Sequence, residues 1–113
     1  MTTPTTAPAA AGPLAGIKVL DLTIFINGPS ATGQMCEQGA EVLKGEPRVG
    51  DAMRLASGGQ GVYSPGFELF NRGKRSMTLD LKHPGSKRVM RRLVEWADVL
   101  AENFKPGTMQ RLG

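Results

Sequence analysis

The fold of this chain is decided by the stretch Asn71-Arg72-Gly73-Lys74-Arg75-Ser76-Met77-Thr78-Leu79-Asp80-Leu81-Lys82. A basic turn around Gly73 leads into a short aliphatic run, which predicts a strand over residues 76–81. Pro84 is suited to open a helix, which is predicted to continue to about residue 97. A further aliphatic run at 98–102 predicts another strand. Strand, helix and strand in this order are typical of a parallel sheet.

The residues before this stretch repeat the same pattern. The compact aliphatic run 17–22 predicts a strand buried on both faces. Gly28-Pro29 is suited to begin a helix, which should end at Gly39, and residues 40–44 predict a second strand. The glycine-rich segment 45–67 is interpreted as a loop, which would include the weak glycine motif at 58–61. The sequence therefore predicts an α/β fold with four parallel strands and flanking helices.

Composition limits the class of protein. The chain has 113 residues, of which 40% are hydrophobic, and this fits one small domain with a modest core. A single cysteine, Cys36, excludes an internal disulfide and suits a reducing compartment, so a cytoplasmic location is expected. No apolar run approaches the roughly 20 residues of a membrane helix. Residues 1–12 carry no charge and are expected to form a disordered tail.

Charge is unevenly distributed along the chain. Residues 1–56 hold four Lys or Arg against five Asp or Glu, whereas residues 57–113 hold ten against five. A basic half could face phosphates. Four of its cations should lie on the solvent face of the predicted helix, opposite its apolar residues: Lys87, Arg88, Arg91 and Arg92. Nucleic acid is disfavoured as a partner, because Trp96 is the sole aromatic residue near them.

Ligands of parallel sheets gather at the carboxyl ends of the strands, which directs attention to the loops there. Lys82, Lys105 and Arg111 are candidates to meet phosphates. Phe104 could pack against an adenine ring, and Asn103 could hydrogen-bond an amide or a ring nitrogen.

Ordinary structural roles stay open for several of these residues. Phe25 and Ile26 could continue the first strand into the core, and Phe104 could be a core aromatic residue. Lys74 and Arg75 could bind phosphate or could simply be solvated at a turn. The remaining candidates have a structural alternative each: Asn103 shaping a turn, His83 at the surface of a helix start, and Cys36 as a small buried hydrophobe. With one histidine in the chain, no metal site is predicted.

Four ordered motifs make this chain resemble the class III coenzyme A transferases, such as formyl-CoA and carnitine CoA transferases. They are the basic turn with its strand, the Gly28-Pro29 turn, and the segments 13–23 and 102–113. The resemblance covers residues 13–113 and implies the N-terminal part of a Rossmann-like large domain. It also implies a homodimer at full length, transfer of CoA between carboxylic acids through an aspartyl-CoA thioester, and coenzyme A as substrate with no separate cofactor.

Matching the family's motifs onto this chain implies ten CoA-contacting residues: Ile26, Asn27, Leu79, Asp80, Leu81, Lys82, Asn103, Phe104, Lys105 and Arg111. The nucleophilic Asp of the family is expected beyond Gly113, so this fragment is expected to be inactive alone. Three positions depart from the family pattern and affect the details of CoA affinity: Asn27, Gly45 and Pro47.

Two alternatives remain at the level of sequence. An α-methylacyl-CoA racemase would share the basic turn and the CoA site, with a His and an Asp further along the chain. The chain could instead be a non-catalytic α/β binding module or an inactive remnant. The downstream sequence would discriminate these, since a transferase requires an Asp nucleophile.

Overall fold

The computed structural model describes residues 12–56 and 64–113, and within them it contains four strands and five helices. The strands are β1 (Lys18–Asp21), β2 (Glu41–Glu46), β3 (Arg75–Thr78) and β4 (Val99–Ala101). The helices are α1 (Asn27–Glu37), α2 (Met53–Ala56), α3 (Pro65–Asn71), α4 (Ser86–Trp96) and α5 (Thr108–Leu112). The sequence prediction placed each of the four strands correctly to within three residues at either end.

The four strands form one parallel sheet in the order β3-β2-β1-β4. Val19 of the central strand is paired with Val42 of β2 on one side and with Val99 of β4 on the other. The predicted α/β fold with a parallel sheet is therefore confirmed. The strand order reverses between β1 and β4, and parallel sheets bind ligands at such a switch point.

Helices pack on both faces of the sheet. On one face, Val19, Ala40 and Val42 form a buried core against which Met35 of α1 packs. Leu22, which points to the opposite face, lines a cavity together with Met90 of α4. The alternation of side chains along the strands thus gives each face its own apolar surface.

The face beneath α4 is only partly covered among the described residues. A cavity of about 550 Å³ separates α4 from β4 and α5. Val94 of this helix is 52% exposed, and Leu100 on β4 is 40% exposed. The four cations of α4 are exposed, as predicted, although Lys87 and Arg91 also line this cavity; the four are Lys87, Arg88, Arg91 and Arg92.

The interpretation of 45–67 as a loop was correct for residues 47–52 but wrong for 45–46, 53–56 and 65–67, which belong to β2, α2 and α3. Gly45 continues β2, where a side chain would meet Leu22 Cδ2 at 3.0 Å, so glycine is there for close packing. Asp51 accepts a hydrogen bond from the Met53 N–H and so caps α2. Ser64 caps α3 by accepting a bond from the Phe67 N–H. The predicted tail, apart from Gly12, and the motif at 58–61 lie outside the described residues.

Candidate ligand-binding site

Two buried ion pairs lie at the carboxyl edge of the sheet. Lys74 Nζ lies 2.9 Å from Asp21 Oδ2, and Lys44 Nζ lies 2.8 Å from Asp51 Oδ2. All four side chains are at most 1% exposed. We call these residues the buried ion cluster. Lys44 and Asp51 form an ion pair, and among the described residues no donor is aligned for a hydrogen bond to Asp51 Oδ2.

Asp21 is held ionised within this cluster. Burial alone would raise its pKa, but hydrogen bonds from Thr23 and Lys74, together with the charge of Lys44, lower the pKa below its ordinary value. Lys74 also donates to the carbonyl of Pro29 and to Asn71 Oδ1. Neither role predicted for Lys74, phosphate binding or solvation at a turn, is therefore correct.

The cluster and its neighbours fix the loop that follows β1. Thr23 donates its N–H to Asp21 Oδ1, and its carbonyl accepts from Lys44 Nζ at 2.8 Å. The Phe25 N–H donates to Asp51 Oδ1 at 2.9 Å. Phe25 has φ of 74°, a left-handed conformation that costs a bulky residue about 1 kcal/mol or more. The loop is therefore held by side chains in a shape that its own backbone disfavours.

Asn103, which follows β4, holds the same loop from the other side. Its Nδ2 donates to the carbonyl of Ile24, and its Oδ1 accepts from the Ile24 N–H, both at 2.9 Å. The amide of Asn103 thereby pairs with both backbone groups of one residue, as a neighbouring strand would. A turn-shaping role was left open for Asn103 by the sequence, but its side chain instead bonds the backbone of Ile24, which is distant in the sequence.

Glu46 ends β2 with a fully engaged carboxylate. It accepts hydrogen bonds from Arg54 Nε at 2.7 Å and from Arg54 Nη2 at 2.8 Å, and others from Ser76 Oγ and the Asp51 N–H. Burial opposes ionisation, yet these donors lower the pKa of Glu46 from 4.5 to about 2. Arg54 also stacks on the ring of Phe67, with its guanidinium carbon 3.7 Å from the ring centre.

The low pKa of Glu46 predicts that the folded chain loses stability in acid. Because the pKa is lower in the folded chain, the stabilisation is complete above pH 4.5 and is lost as the pH falls towards 2. We expect roughly 2 kcal/mol of unfolding free energy to be lost in this interval, allowing for screening of the partly exposed Arg54. Urea unfolding between pH 7 and pH 2 measures it.

Glu46→Gln is the variant for this experiment, and Glu41→Gln, on the exposed end of β2, is its control. The stability gap between wild type and Glu46→Gln should narrow on acidification. A gap that stays constant from pH 5 to pH 2 would contradict the assignment.

An apolar cavity of about 260 Å³ opens at the carboxyl edge of the sheet. It collects residues from the loops after all four strands and from α5. Five of its lining residues were predicted from the family's motifs: Leu79, Asp80, Leu81, Lys82 and Phe104. Phe104 is half-buried, which leaves part of its ring available to the cavity.

A second cavity of about 330 Å³ shares Leu81, Lys82 and Leu112 with the first. It is bordered by the cations Lys82, Lys87 and Arg111. Arg111 Nη2 donates to Thr108 Oγ1 at 3.0 Å, which holds the guanidinium near the last helix. A planar or apolar group and an adjacent anion could thus be held side by side, because one cavity is apolar and the next is cationic.

The other four predicted residues do not line these cavities. They are Ile26, Asn27, Asn103 and Lys105. Ile26 is 43% exposed and Phe25 is 44% exposed, so the alternative that these two belong to the core was wrong. Ile26 and Asn27 lie at the start of α1 and Lys105 follows Phe104, all with exposed side chains, and a role in binding stays a prediction for them.

Sequence reasoning missed several lining residues. Leu22, Ile24, Thr108 and Leu112 border the apolar cavity, and His83 and Lys87 border the cationic one. The alternation of β1, continued past its end, places Leu22 and Ile24 on one side and could have identified both. Lys87 was assigned to the solvent face of α4 and is indeed exposed, but it lies within the first turn of the helix, where it reaches the cavity rim.

The minor candidates of the sequence have ordinary surroundings. His83 is exposed, and its Nδ1 accepts a hydrogen bond from the Gly85 N–H. Cys36 is a half-buried free thiol whose pKa is raised by burial. Within residues 12–56 and 64–113, no cluster of three or more acidic, His or Cys side chains is arranged to hold a metal ion. In the same residues, no helix has the length and apolar character needed to cross a membrane.

Comparison with known proteins identifies the family. The family model for CoA-transferase family III matches residues 14–113, and the chain therefore belongs to that family. The resemblance inferred from the sequence motifs is confirmed.

Named relatives and solved structures agree with this assignment. The chain is 44% identical over 112 residues to the acetyl-CoA:oxalate CoA-transferase of Acetobacter aceti, covering 98% of this chain and 29% of the relative. It is 42% identical over 106 residues to the formyl-CoA:oxalate CoA-transferase of Bradyrhizobium diazoefficiens, covering 88% of this chain and 24% of the relative. A crystal structure of a mutant of Rv3272 from Mycobacterium tuberculosis superimposes with a TM-score of 0.83 at 42% identity, covering 92% of this chain and 28% of that one. A CAIB/BAIF family protein from Brucella suis gives 0.82 at 36% identity, covering 90% of this chain and 28% of that one.

Proposed function

We propose that this chain is the coenzyme A-binding part of a CoA transferase that moves CoA between carboxylic acids. The observation that carries the proposal is the pairing of the two cavities, one apolar with Phe104 and one bordered by Lys82 and Arg111. Coenzyme A has the matching chemistry, because its adenine and pantetheine parts are joined through phosphates. Residues 13–113 would then form the N-terminal part of the large domain of the whole protein.

The reaction requires a carboxylate that attacks the thioester carbonyl and forms an aspartyl-CoA intermediate. Asp21 and Asp51 are occupied in the buried ion cluster. Asp80 and Asp98 are exposed and accept hydrogen bonds from the backbone N–H groups of Lys82 and Lys18. None of these four is set up as a nucleophile, so the proposal places the nucleophilic Asp outside the described residues.

The proposal also covers the substrates, the oligomeric state and the cellular location of the whole protein. The names of the two CoA-transferases described above each join a CoA thioester to oxalate, so a small carboxylic acid is the proposed acceptor. No cofactor is proposed besides the CoA thioester substrate. A homodimer in the cytoplasm is proposed for the whole protein, in keeping with the family resemblance and the single unpaired Cys36.

Arg111→Ala tests the proposed site. We expect the dissociation constant for coenzyme A to rise about tenfold, because one charge-assisted contact to a phosphate is lost. The dependence of binding on salt should also become weaker, since fewer charges meet. Isothermal titration calorimetry with coenzyme A at two salt concentrations measures both effects.

Arg92→Ala is the matched control, because Arg92 is an exposed cation of α4 that lines neither cavity. Its affinity for coenzyme A should equal that of the wild type. Equal affinities for all three proteins, or equal losses in both variants, would overturn the proposed site.

A further inference from the structure

The loop after β1 is joined to the loop after β4 by one side chain. The carboxamide of Asn103 makes two hydrogen bonds of 2.9 Å, one to the N–H and one to the carbonyl of Ile24. The two residues are 79 positions apart in the sequence. Since their strands are neighbours in the sheet, this contact spans the point where the strand order reverses.

The two joined loops both contribute to the apolar cavity. Ile24 lines it from the β1 side, and Phe104, the residue after Asn103, lines it from the β4 side. The position of one wall relative to the other therefore depends on the pairing of Asn103 with Ile24. No strand pairing performs this task, because the last paired residues are Asp21 and Ala101.

The loop does not hold its shape through its own backbone preferences. Phe25 lies in the left-handed region with φ of 74°, directly after the clamped residue. On its buried side, the loop is held by Lys44, which donates to the Thr23 carbonyl, and by Asp51, which accepts from the Phe25 N–H. Asn103 supplies the hydrogen bonds on the exposed side of the loop. Because Asn103 is itself exposed, its bonds to the backbone are a specific arrangement rather than a consequence of burial.

We propose that Asn103 is a positioning residue that clamps Ile24 against the β4 loop and thereby sets the width of the coenzyme A cavity. The proposal rests on the proposed function, because the cavity is taken to be the site for coenzyme A. It differs from the role that the family motif implies, which is a direct contact of Asn103 with the ligand. Asn103 acts here through the backbone of Ile24.

Asn103→Ala is the test, with two measurements on each protein. We expect the dissociation constant for coenzyme A to rise about tenfold, as two neutral hydrogen bonds are lost. We also expect the Ile24 amide of the free protein to exchange with solvent about fivefold faster, as measured by NMR hydrogen exchange. Gln110→Ala, an exposed amide on α5, is the control and should alter neither quantity.

Asn103→Asp is the second variant, because it keeps the side-chain size and the acceptor for the Ile24 N–H but lacks the donor. Its Ile24 amide should remain protected, in contrast to the Ala variant. A weaker affinity in Asn103→Ala with unchanged exchange of the Ile24 amide would overturn the clamp in favour of direct ligand contact. Unchanged affinity would overturn it as well. A wild-type protein that does not bind coenzyme A would instead refute the proposed function, and this proposal with it.

Discussion

Lys74→Met is expected to lower the free energy of unfolding by about 3–5 kcal/mol, because it leaves a buried carboxylate without the cation that contacts it directly. Asp21 is fully buried, and Lys74 Nζ lies 2.9 Å from its Oδ2. Thr23 and Thr32 still donate hydrogen bonds to Asp21 in the variant, but neither carries a charge. The carbonyl of Pro29 and the amide oxygen of Asn71 also lose a donor.

The next residue in the chain supplies the control for this experiment. Arg75 pairs with Glu41, but its side chain is 65% exposed and that of Glu41 is 46% exposed. Arg75→Met should therefore cost less than about 1 kcal/mol, as is usual for surface ion pairs. Urea unfolding of the two variants under identical conditions measures the difference. Similar losses for Lys74→Met and Arg75→Met would contradict the structural role of the buried pair.

Local patterns were sufficient to predict the sheet. Each of the runs 17–22, 40–44, 76–81 and 98–102 is aliphatic and is bounded by residues that begin or end helices, so both the strands and their parallel arrangement followed. Six of the ten residues implied by the family's motifs also meet at the two cavities, since the ends of parallel strands share one edge.

The partners of the charged residues could not be predicted in this way. Lys44 reads as an ordinary strand residue and Lys74 as an exposed turn cation, yet both are buried by contacts with distant residues. Asp51 lies in a segment whose glycines indicated a loop, and no local pattern pairs it with Lys44. Ion pairs of this kind depend on which strands become neighbours, and that is information which spacing along the chain does not contain.

The clamp at Ile24 was missed for a related reason. An exposed Asn after a strand suggests a turn or a ligand contact, because its amide can hydrogen-bond either to the nearby backbone or to a bound molecule. Its partners are the N–H and the carbonyl of Ile24 in another loop, which can be identified only when β1 and β4 are known to be adjacent. The sequence therefore singled out Asn103 without indicating its hydrogen bonds to Ile24.

Gly28→Ala is expected to destabilise the chain by about 3 kcal/mol or more, at the upper end of overpacking effects. A Cβ at this position would lie 2.3 Å from Thr23 Cβ. Thr23 cannot move away cheaply, since it is 2% exposed and its backbone is held by Asp21 and Lys44. The clash would displace the loop after β1 or the first turn of α1. Denaturant unfolding measures the loss.

Gly85→Ala is the matched control, because a Cβ there meets the exposed His83 ring at 3.2 Å, and that ring can rotate away. It should cost less than about 1 kcal/mol. The cause can be tested further in a double-mutant cycle. Since the clash involves Thr23 Cβ itself, Thr23→Gly should abolish the added cost of Gly28→Ala, whereas Thr23→Ser should not. If Thr23→Ser relieved the cost equally, the loss would not arise from this contact.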